Sequence, residues 1–174
     1  MRRRWPFILT ALLALLAGLC FYRASFSPPP GEREYLCTLS VRCDTILENM
    51  EQLNKDKPEL VPADGVILAE TEVGFSEGES VFDVLKRTLM ERAIHLEFVE
   101  TPFFASAYVE GIGNLYEMDC GPLSGWMFKV NGEFATKGCS LYRLDPGDGV
   151  EWLYTCDLGR DIGGEDASLG GAGR

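Results

Sequence analysis

Polar and apolar residues alternate through Tyr35–Cys43. Tyr35, Cys37, Leu39, Val41 and Cys43 fall on one side, and Thr38, Ser40 and Arg42 on the other. A period of two marks a strand with one buried face. The same period returns at Val66–Phe75, where Ile67, Ala69, Thr71, Val73 and Phe75 share a side, and at Trp126–Val130, where Trp126, Phe128 and Val130 alternate with Met127 and Lys129. Asn131-Gly132 follows and supplies two residues that accept positive φ, the strongest short-range hairpin signal. Val150–Cys156 is the last strand. Weaker strand patterns lie at Ile94–Glu100, ended by Pro102, at Ala107–Ile112 and at Leu141–Leu144.

Helical spacing appears twice. Asp44 is placed to cap a short helix reaching about Asn54, with Ile46, Leu47, Met50 and Leu53 on one face. Ser80 and Asp83 form a capping-box pattern. It opens the longest helix, Val81–Ala93, whose stripe is Val81, Phe82, Leu85, Leu89 and Met90. Lys55–Gly65 reads as loop; Gly111–Asn114 and Asp145–Gly149 read as turns. No internal repeat is present. The order of strand, strand, helix, then three or four strands predicts an α+β fold of β-grasp type. It is a mixed sheet with one main helix packed on one face and the first and last strands side by side at its centre.

The two ends read differently. Arg2-Arg3-Arg4 precede an apolar run from Trp5 to Tyr22, which predicts an N-terminal signal anchor or transmembrane helix within residues 1–26, with the basic end inside and the remainder outside. The alternative is cleavage after Ser27, with Ser25 and Ser27 at the −3 and −1 positions, which releases a secreted protein. Residues 27–34 form a stiff Pro-rich linker. A domain follows at 35–160. Asp157–Arg174 carries six glycines and few apolar residues; residues 161–174 are expected to be a disordered tail.

Of 174 residues, 46% are hydrophobic and 25% charged, enough for a packed core. The net charge of −11 hides a split: five Arg and two Glu lie in 1–34, leaving 11 basic and 25 acidic residues in 35–174. So acidic a domain argues against nucleic acid, whose phosphates need basic partners.

Cysteine chemistry is constrained by the strands. Cys20 lies in the apolar run, and five cysteines remain outside it. Cys37 and Cys43 sit on one strand, roughly 20 Å apart, too far to pair. If the first and last strands are parallel neighbours, Cys43–Cys156 is the expected disulfide, Cys120–Cys139 closes the hairpin region, and Cys37 is a core thiol. Cys-x-x-Cys is absent and His95 is the only histidine, which argues against zinc, a redox motif or a nucleophile–base pair. Acidic pairs such as Glu70 with Glu72 follow from the composition. Asp145-Pro-Gly-Asp-Gly reads as a tight turn ahead of a calcium loop. The reading is of a non-enzymatic protein without metal or cofactor. Two or three of Trp126, Phe128, Trp152 and Tyr154 are expected in the core. Met127, of opposite parity, and the loop residues Tyr116 and Leu123 are candidates for an exposed apolar surface, with packing of Met127 beneath the tail or a loop weighed equally.

Four segments together carry a family likeness: Glu77–Leu85, Ser124-Gly-Trp-Met-Phe-Lys-Val-Asn-Gly132, Gly138-Cys-Ser-Leu-Tyr142 and Gly147–Thr155. In order and spacing they resemble the transcobalamin-like C-terminal domain family, bacterial surface modules of unknown function, over roughly residues 35–160. In the vitamin-B12 carriers related to that family, a small β-rich domain covers one face of the corrin while a helical barrel holds the other. Nothing beyond the one domain is long enough here to supply such a barrel. The resemblance implies a corrinoid-facing surface, for which Tyr116, Leu123, Trp126, Met127 and Asn131 are the candidate ligand residues. The expected protein is a membrane-anchored extracytoplasmic binding module, attached through residues 5–22, that meets a corrinoid-like ligand or a surface transporter protein. The alternative is a structural or protein-interaction module of the cell surface without a small-molecule ligand.

Overall fold

The alternation at the two ends of the domain is resolved by pairing those ends with each other. In the computed structural model, which describes residues 33–101 and 106–164, β1 (Tyr35–Arg42) lies parallel to β8 (Gly149–Thr155), in register from Thr38↔Gly149 to Arg42↔Leu153. β2 (Val66–Phe75) runs antiparallel on the other side of β1, from Tyr35↔Phe75 to Arg42↔Val66. β6 (Gly125–Val130) runs antiparallel to β8 and turns into β7 (Glu133–Phe134). The order is β2-β1-β8-β6-β7, so the first and last strands are neighbours inside the sheet, as the patterning predicts. At the hairpin, Asn131 and Gly132 take φ of 54° and 81°, as a primed two-residue turn requires.

One face of this sheet is the core. Cys37, Leu39 and Val41 of β1, Val150, Trp152 and Tyr154 of β8, and Trp126 and Val130 of β6 are all buried. The helix α1 (Val81–Glu91) adds Val81, Phe82, Val84, Leu85 and Leu89 to it. Met90 points away, 72% exposed, because the buried stripe runs instead through Val84 and Thr88. The capping box forms as expected: Asp83 N donates to Ser80 Oγ at 3.2 Å, and Ser80 N donates to Asp83 Oδ2 at 2.9 Å.

β2 keeps its extent but changes face, with Leu68 buried and Ala69 exposed, because its ladder to β1 is irregular between Leu39 and Val41. Three other elements depart from the sequence expectation. The strands that directly follow α1 do not extend the first sheet. β3 (Leu96–Thr101), β4 (Ser106–Ile112) and β5 (Leu115–Tyr116) form a separate antiparallel sheet in the order β3-β4-β5. Short connections let these strands pair with each other, and the Phe82 ring meets Phe98 edge-on at 4.8 Å to join them to the helix. The predicted helix after Asp44 is only a 3₁₀ turn at Asp44–Glu48, whose entry has no side-chain cap; Asp44 accepts instead from Arg42 Nε at 3.1 Å. Leu141–Leu144 is not a strand. It passes beneath the start of α1, where Tyr142 O and Cys139 O accept from Val81 N and Phe82 N at 3.0 and 3.1 Å. These carbonyls satisfy donors that the first turn of a helix leaves open.

The expected disulfides are absent as well: Cys37, Cys43, Cys120, Cys139 and Cys156 are free, buried thiols. The β1–β8 register explains the first. Continued past Arg42↔Leu153, it sets Cys43 opposite Tyr154, two residues short of Cys156. That stagger is about 7 Å along the strand on top of a lateral spacing of about 5 Å, beyond the reach of a disulfide. Cys120 and Cys139 lie against different parts of the core, with Cys120 Sγ 3.4 Å from Asn49 O and Cys139 Sγ 3.2 Å from Ala107 O. The apolar run at 5–22, most of the linker, Pro102 and residues 165–174 fall outside the described residues. Among the described residues no helix is long and apolar enough to cross a membrane.

Replacing Ser80 by Ala removes the cap of α1 and is expected to cost about 1 kcal/mol in a urea titration. Burial alone would raise the Asp83 pKa, but the Ser80 hydroxyl and N–H, then Arg143 and Arg87, outweigh it and hold the carboxyl below its ordinary value of 3.8. This contribution is therefore present above that value and lost as pH falls through the lowered one. Asp83→Asn should flatten that acid limb of the stability profile, which thermal scans between pH 5 and pH 2 would read.

Candidate functional site

Four of the five residues nominated from the sequence, Tyr116, Leu123, Trp126 and Met127, lie around the end of β8 and the loop that leads into β6. Tyr154, at that end, is fully buried, and burial raises its pKa. Its hydroxyl donates to Tyr116 O at 2.7 Å and lies 3.0 Å from Ser124 Oγ. Trp126 stands edge-on to Tyr154, with ring centroids 5.2 Å apart, and its Nε1 donates to Leu115 O at 2.8 Å. Two large rings from the core thus hold both ends of the 115–124 loop through their polar atoms, a common use of buried Tyr and Trp. Trp126 is buried in β6 and braces this loop from below.

Tyr116 is gripped from several sides. Its ring lies against the backbone of Gly111, where an added Cβ would sit 2.7 Å from Tyr116 Cδ1. Lys57 Nζ is 4.4 Å from the ring centroid, donates to Asn114 O at 3.0 Å and pairs with Asp119 Oδ2 at 2.5 Å. The same carboxylate oxygen accepts from Tyr116 N at 2.6 Å. His95 flanks the ring at 6.1 Å between centroids. Nearby, the Tyr108 hydroxyl is hydrogen-bonded to Glu117, which with burial pushes its pKa up to about 12.

Leu123 lines a cavity of about 470 Å³, together with Pro122, Asn49, Gln52, Cys156, Asp157 and Asp161. One wall is the loop, the second is the segment after the 3₁₀ turn, and the third is the chain leaving β8. That third wall departs from the disordered tail expected after β8. Residues 157–164 fold back over β6, with a 3₁₀ turn at Arg160–Ile162 flanked by Gly159 and Gly163 at φ of 91° and 87°. Asp161 anchors the turn by accepting from Cys156 N at 2.6 Å and from the Thr155 hydroxyl. Leu158 N donates to Leu123 O at 2.9 Å, and Lys129 Nζ donates to Ile162 O at 2.8 Å. Met127 therefore lies beneath this turn: a Cβ at Gly159 would stand 2.9 Å from Met127 Sδ.

Asn131 is elsewhere. It sits past the far end of β6 from Gly125, about 20 Å along the strand. There its amide is a clip, with Nδ2 donating to Asp148 Oδ1 and Oδ1 accepting from Gly149 N, both at 2.8 Å. The structure thus does not bring the five nominated residues to one surface. Asn49, Gln52, Asp157 and Asp161 escaped the sequence reading, since no spacing links residues near 50 with residues near 160. A second hollow, about 410 Å³, opens on the outer face of the five-stranded sheet between Ser40, Arg42, Val66, Glu70, Glu151 and Leu153. Among the described residues no group of three or more His, Cys, Asp or Glu is arranged to hold a metal ion. Asp157 is paired with Arg160, which lowers its pKa.

Residues 78–155 match the family described as a domain of unknown function, DUF4430. Among solved structures, haptocorrin in complex with Cbi is similar, with a TM-score of 0.50 and 16% identity over 74% of this chain. The aligned region is 27% of the haptocorrin chain, so this protein spans about a quarter of that relative. At that identity the likeness is one of fold. A candidate metal binding protein from Ruminococcus gnavus ATCC 29149 aligns at 12% identity over 70% of this chain and 97% of its own, with a TM-score of 0.40. No curated protein gives a significant sequence match.

If the turn after β8 shields Met127, peroxide should oxidise Met127 several-fold more slowly than the exposed Met118 and Met90, as read by peptide mass spectrometry. Asp161→Ala should release the turn and bring Met127 close to the rate of the other two.

Proposed function

We propose that this chain, which resembles a transcobalamin-like domain in fold, is a non-enzymatic binding module that receives a flat, largely apolar ligand of the corrinoid class at the Leu123 cavity. The observation that carries this reading is a cavity of about 470 Å³ in which Pro122 and Leu123 face the amides of Asn49 and Gln52, on a fold similar to that of haptocorrin, which was solved in complex with Cbi. Leu123 is 39% exposed, Leu158 beside it is 62% exposed, and Met118 is exposed on the same loop. The volume falls within the usual range of small-molecule sites, roughly 300–1,000 Å³. Asn49 and Gln52 offer amide donors and acceptors at the opposite wall, groups suited to amide-bearing ring substituents. The acidic surface disfavours phosphate-rich partners. The apolar run at 5–22 would hold the domain outside the cell membrane.

One observation favours a second reading, a protein-contact module. Leu36 is 49% exposed on β1, whose outer face is also bordered by the Ser40–Glu151 hollow.

Equilibrium dialysis of the detergent-solubilised full chain against cobalamin is the direct test, because the ligand is coloured. Retention of colour at tens of micromolar, weakened at least about tenfold by Leu123→Asp, a loss of about 1.4 kcal/mol, is expected. Asn131→Ala, far from the cavity, should leave affinity unchanged. Absence of retained colour in the wild type, or equal loss in both variants, overturns the reading.

A further inference from the structure

Two of the buried thiols face the same 3₁₀ turn. Cys120 Sγ lies 3.4 Å from Asn49 O, and Cys156 Sγ lies 3.8 Å from Thr45 Oγ1. Asn49 and Thr45 are one turn apart and are tied by Asn49 Nδ2 donating to Thr45 O at 2.9 Å. Thr45 Oγ1 in turn donates to Tyr154 O at 2.6 Å, fixing the turn to the end of β8. Between these anchors the Cys120 and Cys156 side chains approach each other closely enough for each to shift the pKa of the other. The remaining thiols have other partners or the wrong stagger. Cys37 Sγ donates to Val73 O at 3.6 Å, Cys139 Sγ to Ala107 O at 3.2 Å, and Cys43 is set two residues short of Cys156.

We propose that Cys120 and Cys156 are a redox pair that closes to a disulfide by exchange with a small-molecule disulfide, Cys156 being the sulfur that meets the oxidant. Cys156 lines the Leu123 cavity, whereas Cys120 is wholly buried behind it. The first step is attack of the Cys156 thiolate on one sulfur of the incoming disulfide. It forms a mixed disulfide and expels one thiolate. Cys120, deprotonated in turn, attacks the Cys156 sulfur, forms the intramolecular bond and expels the second thiolate. The protein loses two protons and two electrons, and the oxidant gains them as two thiols. Burial raises the pKa of both sulfurs, that of Cys156 to about 12. At neutral pH the exchange is therefore slow. Its rate should rise nearly tenfold per pH unit, since the attacking thiolate fraction does so below the pKa.

The bond would close a ring containing β6, β7 and β8 and fasten the Leu123 loop to the end of the central strand. It would set the cavity wall whether or not the cavity binds a corrinoid, so the proposal does not rest on the function proposed above. Its test contains no corrinoid.

Trypsin separates the cysteines cleanly, because cleavage after Arg92, Lys129, Lys137, Arg143 and Arg160 leaves Cys120, Cys139 and Cys156 on different peptides, and Arg42 divides Cys37 from Cys43. The full chain is incubated with oxidised glutathione at pH 8, denatured in acid, alkylated and digested. The expected product joins peptide 93–129 to peptide 144–160, with Cys37, Cys43 and Cys139 alkylated. Oxidation should raise Tm by roughly 5–10 °C. Cys43→Ser should keep both the cross-link and the shift, and Cys156→Ser should lose both. A Cys43–Cys156 or Cys120–Cys139 cross-link overturns the proposal, as does alkylation of both Cys120 and Cys156 after prolonged oxidation. If Cys156→Ser does not fold, the wild-type peptide map decides alone.

Discussion

The rest of the domain depends on the parallel ladder between β1 and β8. It joins the first strand of the domain to the last, so everything between must return before the ladder closes. Thr45 Oγ1 donating to Tyr154 O spans 109 positions of sequence. Such a contact carries a large loop-closure cost before it contributes, and the burial of Leu39, Val41, Val150, Trp152 and Tyr154 on the shared face offsets that cost. Local pairs form more readily. The hairpin at Asn131-Gly132 and the β3-β4-β5 meander are antiparallel neighbours in sequence, and the ladder draws them together.

That ladder also decides where a ligand site can be. The end of β8 supplies Tyr154, which holds the 115–124 loop by its hydroxyl, and then releases the chain at Cys156. From there Asp161 bends the next residues back across β6. The Leu123 cavity is the space left between these two consequences of one strand end. The wall residues are thus held by core interactions, a precondition for binding without large rearrangement.

A strongly negative surface and buried thiols are compatible within this arrangement. Four of the carboxylates serve local order: Asp83 on the helix cap, Asp119 on Lys57 and Tyr116, Asp148 on Asn131, Asp161 on Thr155 and Cys156. The thiols lie beneath them in the core, where desolvation keeps them protonated. Among the thiols of the described residues, that of Cys156 is the one that lines the cavity.

Much was legible in sequence, and it was the local part. Period-two runs marked β1, β2, β6 and β8, Asn131-Gly132 marked the hairpin, and Ser80 with Asp83 marked the start of α1, because strand faces, turn dihedrals and helix caps are satisfied by residues a few positions apart. The family likeness and the central placement of the first and last strands also followed from order and spacing. The arrangement of the candidate site did not. Met127 has the parity of an exposed position, but the glycine-rich segment after β8 covers it through Asp161, whose partners lie in the preceding strand end. Trp126 and Tyr116 look alike in sequence as aromatic candidates; only packing makes one a support under the loop and the other a ring clamped between Gly111 and Lys57. Cysteine pairing failed for the same reason. Sequence determines which face of a strand a thiol occupies, whereas the stagger between strands decides which thiols meet, and that stagger is set by the packing of the whole sheet.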